Sequence, residues 1–178
     1  MSEYLISPEF IKSMSNISNN TDDKYLLPAI REAQDIDYRN IVGFAMLDKL
    51  ISLENANAID KPENVHYKAL LETSRYFLTY ATMVHLVMKT SYKIANMGVV
   101  RTSDDNVSSA SYDEVQKVAD YYRSRADFYK NTLQEYLCYN RAHLPELDEE
   151  KYNHAKANLR SAATTSIWLG GVRGKRIL

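Results

Sequence analysis

A chain of 178 residues is long enough to bury one hydrophobic core without disulfides or a structural metal, and nothing in it forces a second. Its single cysteine excludes an internal disulfide framework, and no stretch approaches the roughly 18 uninterrupted apolar residues of a membrane span. The net charge of −1 conceals a split: residues 151–178 hold six basic residues and no acidic one, a charge of +6, so the first 150 carry −7.

The opening Met1-Ser2-Glu3-Tyr4 lacks the basic flank and apolar run of a secretory signal, so the chain is expected to be made in the cytoplasm. Ser7-Pro8-Glu9 then supplies a side-chain cap, a proline at the first helical position and an early acid. Phe10, Ile11 and Met14 follow, which predicts a short helix. The Asn- and Ser-rich residues 15–21 read as a loop. Asp22 and Asp23 cap a second helix whose apolar face is Leu26, Leu27, Ile30, Ala33 and Ile36. A third helix is expected over about 39–53, with Ile41, Val42, Ala45, Met46, Leu47 and Leu50 inward. Gly43 interrupts it, either for a close helix crossing or as a break between two helices. Residues 54–63 read as a linker punctuated by Asp60-Lys61-Pro62.

Two long helices come next. The first is predicted over roughly 64–96, where Leu70, Phe77 and Val84 recur every seven residues beside Ala81, Met88 and Ala95. The second starts at Ser111-Tyr112-Asp113-Glu114, a capping-box spacing, and runs to about residue 141. Val115, Tyr122, Tyr129 and Tyr136 form one of its rows, with Ala119, Ala126 and Leu133 alongside. Aligned rows of this kind predict an antiparallel pair. Residues 98–110 between them are polar, with Asp104 and Asp105, and read as an exposed loop or a small hairpin. Pro145 ends the second long helix, and Glu146, Asp148, Glu149 and Glu150 form an acidic patch.

The expected fold is therefore all-α: a helical bundle on a long antiparallel helix pair, three shorter N-terminal helices, and an extended C-terminal arm. The bundle would occupy residues 1–150 and the basic arm residues 151–178. Within the arm, small residues precede the brief apolar segment Ile167-Trp168-Leu169, which holds the single tryptophan; glycines and Arg173, Lys175 and Arg176 close it. The arm reads either as a frayed, solvated end or as a docking segment; a tryptophan beside two aliphatics is costly to leave in water, so docking on another subunit fits better.

Chemistry is sparse. His66, His85, His143 and His154 occur singly, without the spacing of a metal site, and His85 among Val84, Leu86 and Val87 reads as a half-buried histidine with a backbone or hydroxyl partner. Cys138 among Tyr136, Leu137 and Tyr139 reads as a buried small hydrophobe. Asp22-Asp23 and Asp104-Asp105 sit where capping and solvation explain them. The run Gly170-Gly171-Val172-Arg173-Gly174-Lys175 fails as a phosphate loop, because Gly170 is one residue too close to Gly174-Lys175 and Arg176 replaces the hydroxyl residue. No catalytic, cofactor-binding or metal-binding residue is expected. Fourteen tyrosines against four phenylalanines suit surfaces that are buried on assembly.

The run Leu27-Pro28-Ala29-Ile30-Arg31-Glu32-Ala33-Gln34-Asp35-Ile36, with Ile41-Val42-Gly43 and Leu47-Asp48-Lys49-Leu50, resembles the opening of head–tail connector (adaptor) proteins of tailed bacteriophages. It is most like the version in crAss-like gut phages; Val42 stands where that family often has leucine. The resemblance implies a structural virion protein at the head–tail junction, forming a homo-oligomeric ring of about twelve copies. Such a ring joins the portal to the next neck or tail protein and extends the DNA channel, touching packaged DNA without reading its sequence. It also implies that the arm, through Ile167, Trp168, Leu169, Arg173, Lys175 and Arg176, inserts into the portal or a neighbouring subunit. The rival reading is a small helical nucleic-acid-binding protein that uses its basic tail.

Overall fold

The structure, a computed structural model, describes residues 3–95, 98–101 and 111–147. The C-terminal arm expected over 151–178 lies outside the described residues, with every interaction residue assigned to it, as do Asp104, Asp105 and His154.

Helix α1 (Pro8–Met14) begins where Ser7 accepts a hydrogen bond from the Phe10 amide and Pro8 sits in the first turn. Helix α2 (Asp23–Glu32) is capped by Asp22, whose carboxylate accepts from the Lys24 amide; the Lys24 ammonium, together with that amide, holds the Asp22 carboxyl below its usual range. The charged pair Lys12–Asp23, at 2.8 Å, ties α1 to α2.

The second helix does not end where its apolar pattern does. It continues as a π-helical segment, Ala33–Tyr38, and then as α3 (Arg39–Val42), so the expected helix over 39–53 is divided. The π segment slips the backbone register within one run of helix. In consequence Ile36, expected on the buried face, is 52 % exposed, while Tyr38 is wholly buried. Gly43 then adopts φ 86°, ψ 165°, a conformation a side chain would resist, and α4 (Phe44–Asn55) leaves in a new direction. The glycine is a break between helices.

Helix α5 (Val65–Ser91) is the centre of the molecule. Its middle is buried nearly all round, by Phe77, Leu78, Thr79, Ala81, Thr82 and Met83, because α2 and the π segment pack on it as well as helix α6 (Tyr112–Tyr139). Helix α6 opens with the full capping box: the Ser111 hydroxyl accepts from the Glu114 amide, and the Glu114 carboxylate accepts from the Ser111 amide. Its inner rows are those of the sequence pattern, with Val115, Ala119, Tyr122, Ala126, Leu133 and Leu137 buried. The two long helices run antiparallel, since the Tyr136 hydroxyl near the end of α6 donates to the His66 carbonyl at the start of α5. Midway, Tyr129 stacks between Tyr76 and Tyr80, with ring centroids 5.4 and 5.3 Å away.

The all-α class is tempered by one small element. Helix α5 stops at Ser91, short of the expected 96, and β1 (Tyr92–Ala95) pairs antiparallel with β2 (Gly98–Arg101) in the register Tyr92↔Arg101 to Ala95↔Gly98. The run Tyr92, Ile94, Val99, Val100 is β-branched and aromatic, and such residues lose less freedom in strands than in helices. Its pairing overrides the helical row that included Ala95.

Candidate interaction surfaces

Three places on the described surface combine unusual chemistry with accessibility. The first is built by the π segment. It turns Asp37 toward α5, where His85 Nε2 lies 2.7 Å from Asp37 Oδ2 and His85 Nδ1 lies 3.4 Å from Glu32 Oε2. Lys89 Nζ completes the set, 2.7 Å from the other Glu32 oxygen. The partners of His85 are thus carboxylates, not the backbone or hydroxyl group expected from its neighbours in sequence. Beside this cluster runs an open groove of about 520 Å³, with Phe77, Ala81, Val84 and Ala126 on its floor and Asp37, Arg123, Asp127 and Lys130 on its rims. An Asp–His pair is the geometry of an oriented base, yet among the described residues the lining contains no hydroxyl or thiol side chain for it to activate. What the cluster does mechanically is clamp both ends of the π segment to α5.

The second place is the outward face of α6. Val118, Tyr121, Arg125 and Phe128 follow one another at spacings of three and four residues, and all are exposed; Phe128 is 64 % exposed. Most surface helices carry polar residues on the face turned from the core. Here the guanidinium of Arg125 lies over the Tyr121 ring at 5.3 Å, and Phe128 meets Tyr129 edge-on. Cys138, expected to be buried, is exposed. The inner rows through Leu133 and Leu137 leave it on the far side of a helix with 3.6 residues per turn.

The third place is on α4, which makes no substantial contact with α6. Phe44 is 56 % exposed, Asp48 is exposed, and Ile51 is half-buried, all on one line of the helix. Beside that line lies a groove of about 290 Å³ walled by Tyr4, Gln34, Arg31 and Asp35. Its N-terminal wall is held by Gln34, which accepts from the Leu5 amide at 3.0 Å and donates to the Glu3 carbonyl at 2.9 Å.

Sequence reasoning placed the interaction residues in the arm and overlooked both helix faces. The signal for the α6 face was present: a second apolar stripe offset from the inner rows on the same helix. Among the described residues, no group of three or more His, Cys, Asp or Glu is arranged to hold a metal ion, and no helix is long and apolar enough to cross a membrane.

A family model, described as a family of unknown function (DUF6712), matches residues 38–157, and the chain belongs to that family. No curated protein and no solved structure matches the chain.

Proposed function

Taking the chain as a member of that family, we propose that it is a structural subunit that works by assembly, forming a homo-oligomeric ring at the head–tail junction of a tailed bacteriophage. In this reading it joins the portal to the next neck or tail component, extends the DNA channel, and performs no catalysis. One observation carries the assembly part: α6 carries an exposed apolar stripe, and α4, which does not pack on α6, carries the exposed Phe44 beside the half-buried Ile51. A ring closes through a heterologous contact, in which two different patches of one chain meet on neighbouring copies. The phage setting rests on the resemblance carried by Leu27–Ile36, Ile41–Gly43 and Leu47–Leu50. The arm residues Ile167, Trp168, Leu169, Arg173, Lys175 and Arg176 are assigned to docking on the portal or an adjacent subunit.

The test is native mass spectrometry with electron microscopy of the purified chain, alone and with the portal protein encoded beside it. A closed ring, or one formed on the portal, is the expected result. A protein that stays monomeric in both conditions and retards a short duplex in a sequence-dependent way would instead be the nucleic-acid binder.

A further inference from the structure

On the premise that copies of this chain form a ring, we infer that the ring contact seats the α6 stripe of one copy on the α4 line of the next, with Arg125 meeting Asp48. The two lines are built to the same measure. Tyr121, Arg125 and Phe128 stand at i, i+4 and i+7 on α6, and Phe44, Asp48 and Ile51 stand at i, i+4 and i+7 on α4. At 1.5 Å rise per residue, each places two apolar side chains about 10 Å apart with one charge between them. The charges are opposite.

Neither charge is paired with an opposite charge among the described residues: Arg125 has the Tyr121 ring beneath it, and Asp48 has no ion-pair partner there. Most other acids around α4 are committed: Arg31 pairs with both Glu3 and Asp35, and Glu54 pairs with Arg75. The groove of about 290 Å³ beside Phe44 and Ile51 offers an aromatic ring of the neighbour somewhere to go. An aromatic anchor beside a desolvated Arg–carboxylate pair is the usual composition of an interface hot spot. Because stripe and groove belong to different layers, the contact is not self-complementary, and repeating it adds copies in one direction around a ring.

Charge exchange tests the pairing. Arg125→Glu alone sets acid against Asp48, and Asp48→Arg alone sets base against Arg125. Each variant is expected to keep the wild-type circular dichroism and to lose the oligomer by sedimentation. Mixing the two variants restores every contact, because each stripe then meets a groove of opposite charge, and rings of alternating copies form. If both single variants assemble like wild type, the contact is wrong while the ring reading stands; a wild-type chain that assembles neither alone nor with the portal overturns both. A second readout does not depend on charge. With Cys138→Ser as background, Phe44→Cys with Phe128→Cys should oxidise to a ladder of covalent oligomers, and neither single cysteine variant should pass the monomer. Dimers from Phe128→Cys alone would mean that α6 pairs with α6 of a second copy, and would overturn the assignment.

Discussion

Single hydroxyls carry much of the specificity in this core. Tyr38 is buried whole, and its phenol meets the Ser74 hydroxyl at 2.8 Å while Ser74 donates to the Leu70 carbonyl. Tyr67 donates to the Glu146 carboxylate at 2.8 Å, across a sequence separation of 79 residues. Burial, helped by that carboxylate, pushes the Tyr67 phenol from 10.0 up to about 12. The folded state therefore holds this proton more tightly than the unfolded chain does. The stabilisation is complete below pH 10 and is lost as pH rises from 10 to about 12. Urea midpoints of the wild type should fall across that range, and Tyr67→Phe should fall less steeply. Burial raises the phenols of Tyr38, Tyr122 and Tyr136 as well, so the variant keeps part of the slope. An unchanged slope in Tyr67→Phe would mean that Glu146 and burial do not hold the proton.

At the level of elements, the caps decide where helices start and the packing partners decide which faces matter. The reciprocal cap at Ser111 satisfies backbone amides that have no partner inside α6. Ser111→Ala should cost about 1 kcal/mol of unfolding free energy. A cost near zero would show that the start of α6 frays without consequence. Phe128 and Tyr129 are adjacent on α6 and face opposite fates: Tyr129 stacks on α5, while Phe128 points outward. Tyr129→Ser should lower the melting temperature clearly, by the loss of about 2 kcal/mol or more. Phe128→Ser should leave the monomer melt within about 0.5 kcal/mol of wild type and weaken assembly. Equal melting losses in the two variants would contradict the outward assignment.

For the whole molecule, the arm and the ring belong to one hypothesis, motivated by a lone tryptophan amid small and basic residues. Trp168→Ala should cost roughly 2 kcal/mol of docking energy and leave the melt of the free subunit unchanged. Reversing Arg173, Lys175 and Arg176 should weaken docking more at low salt than at high salt, since exposed charge attraction is screened. Trp168 emission is the direct readout: red-shifted and open to quencher in the free subunit, blue and protected on the portal or ring. Blue, protected emission from the free subunit would place Trp168 in the subunit's own core and end the docking role.

What the chain determines by itself is what local pattern can encode. The caps at Ser7, Asp22 and Ser111, the inner rows of α6 and the helix pair are short-range signals of hydrogen bonding and periodicity, and they appear in the fold as written. Tertiary contacts decided the rest. The π segment exists because Tyr38 reaches Ser74 and Asp37 reaches His85, partners 36 and 48 residues away, and the gain of both outweighs one regular turn. That slip exposes Ile36, which periodicity alone had assigned to the core. The second apolar stripe of α6 is written in the sequence, but its fate is not: apolar residues announce burial, and only the positions of α5 and the N-terminal helices show which of two apolar faces the subunit fills and which it leaves outward.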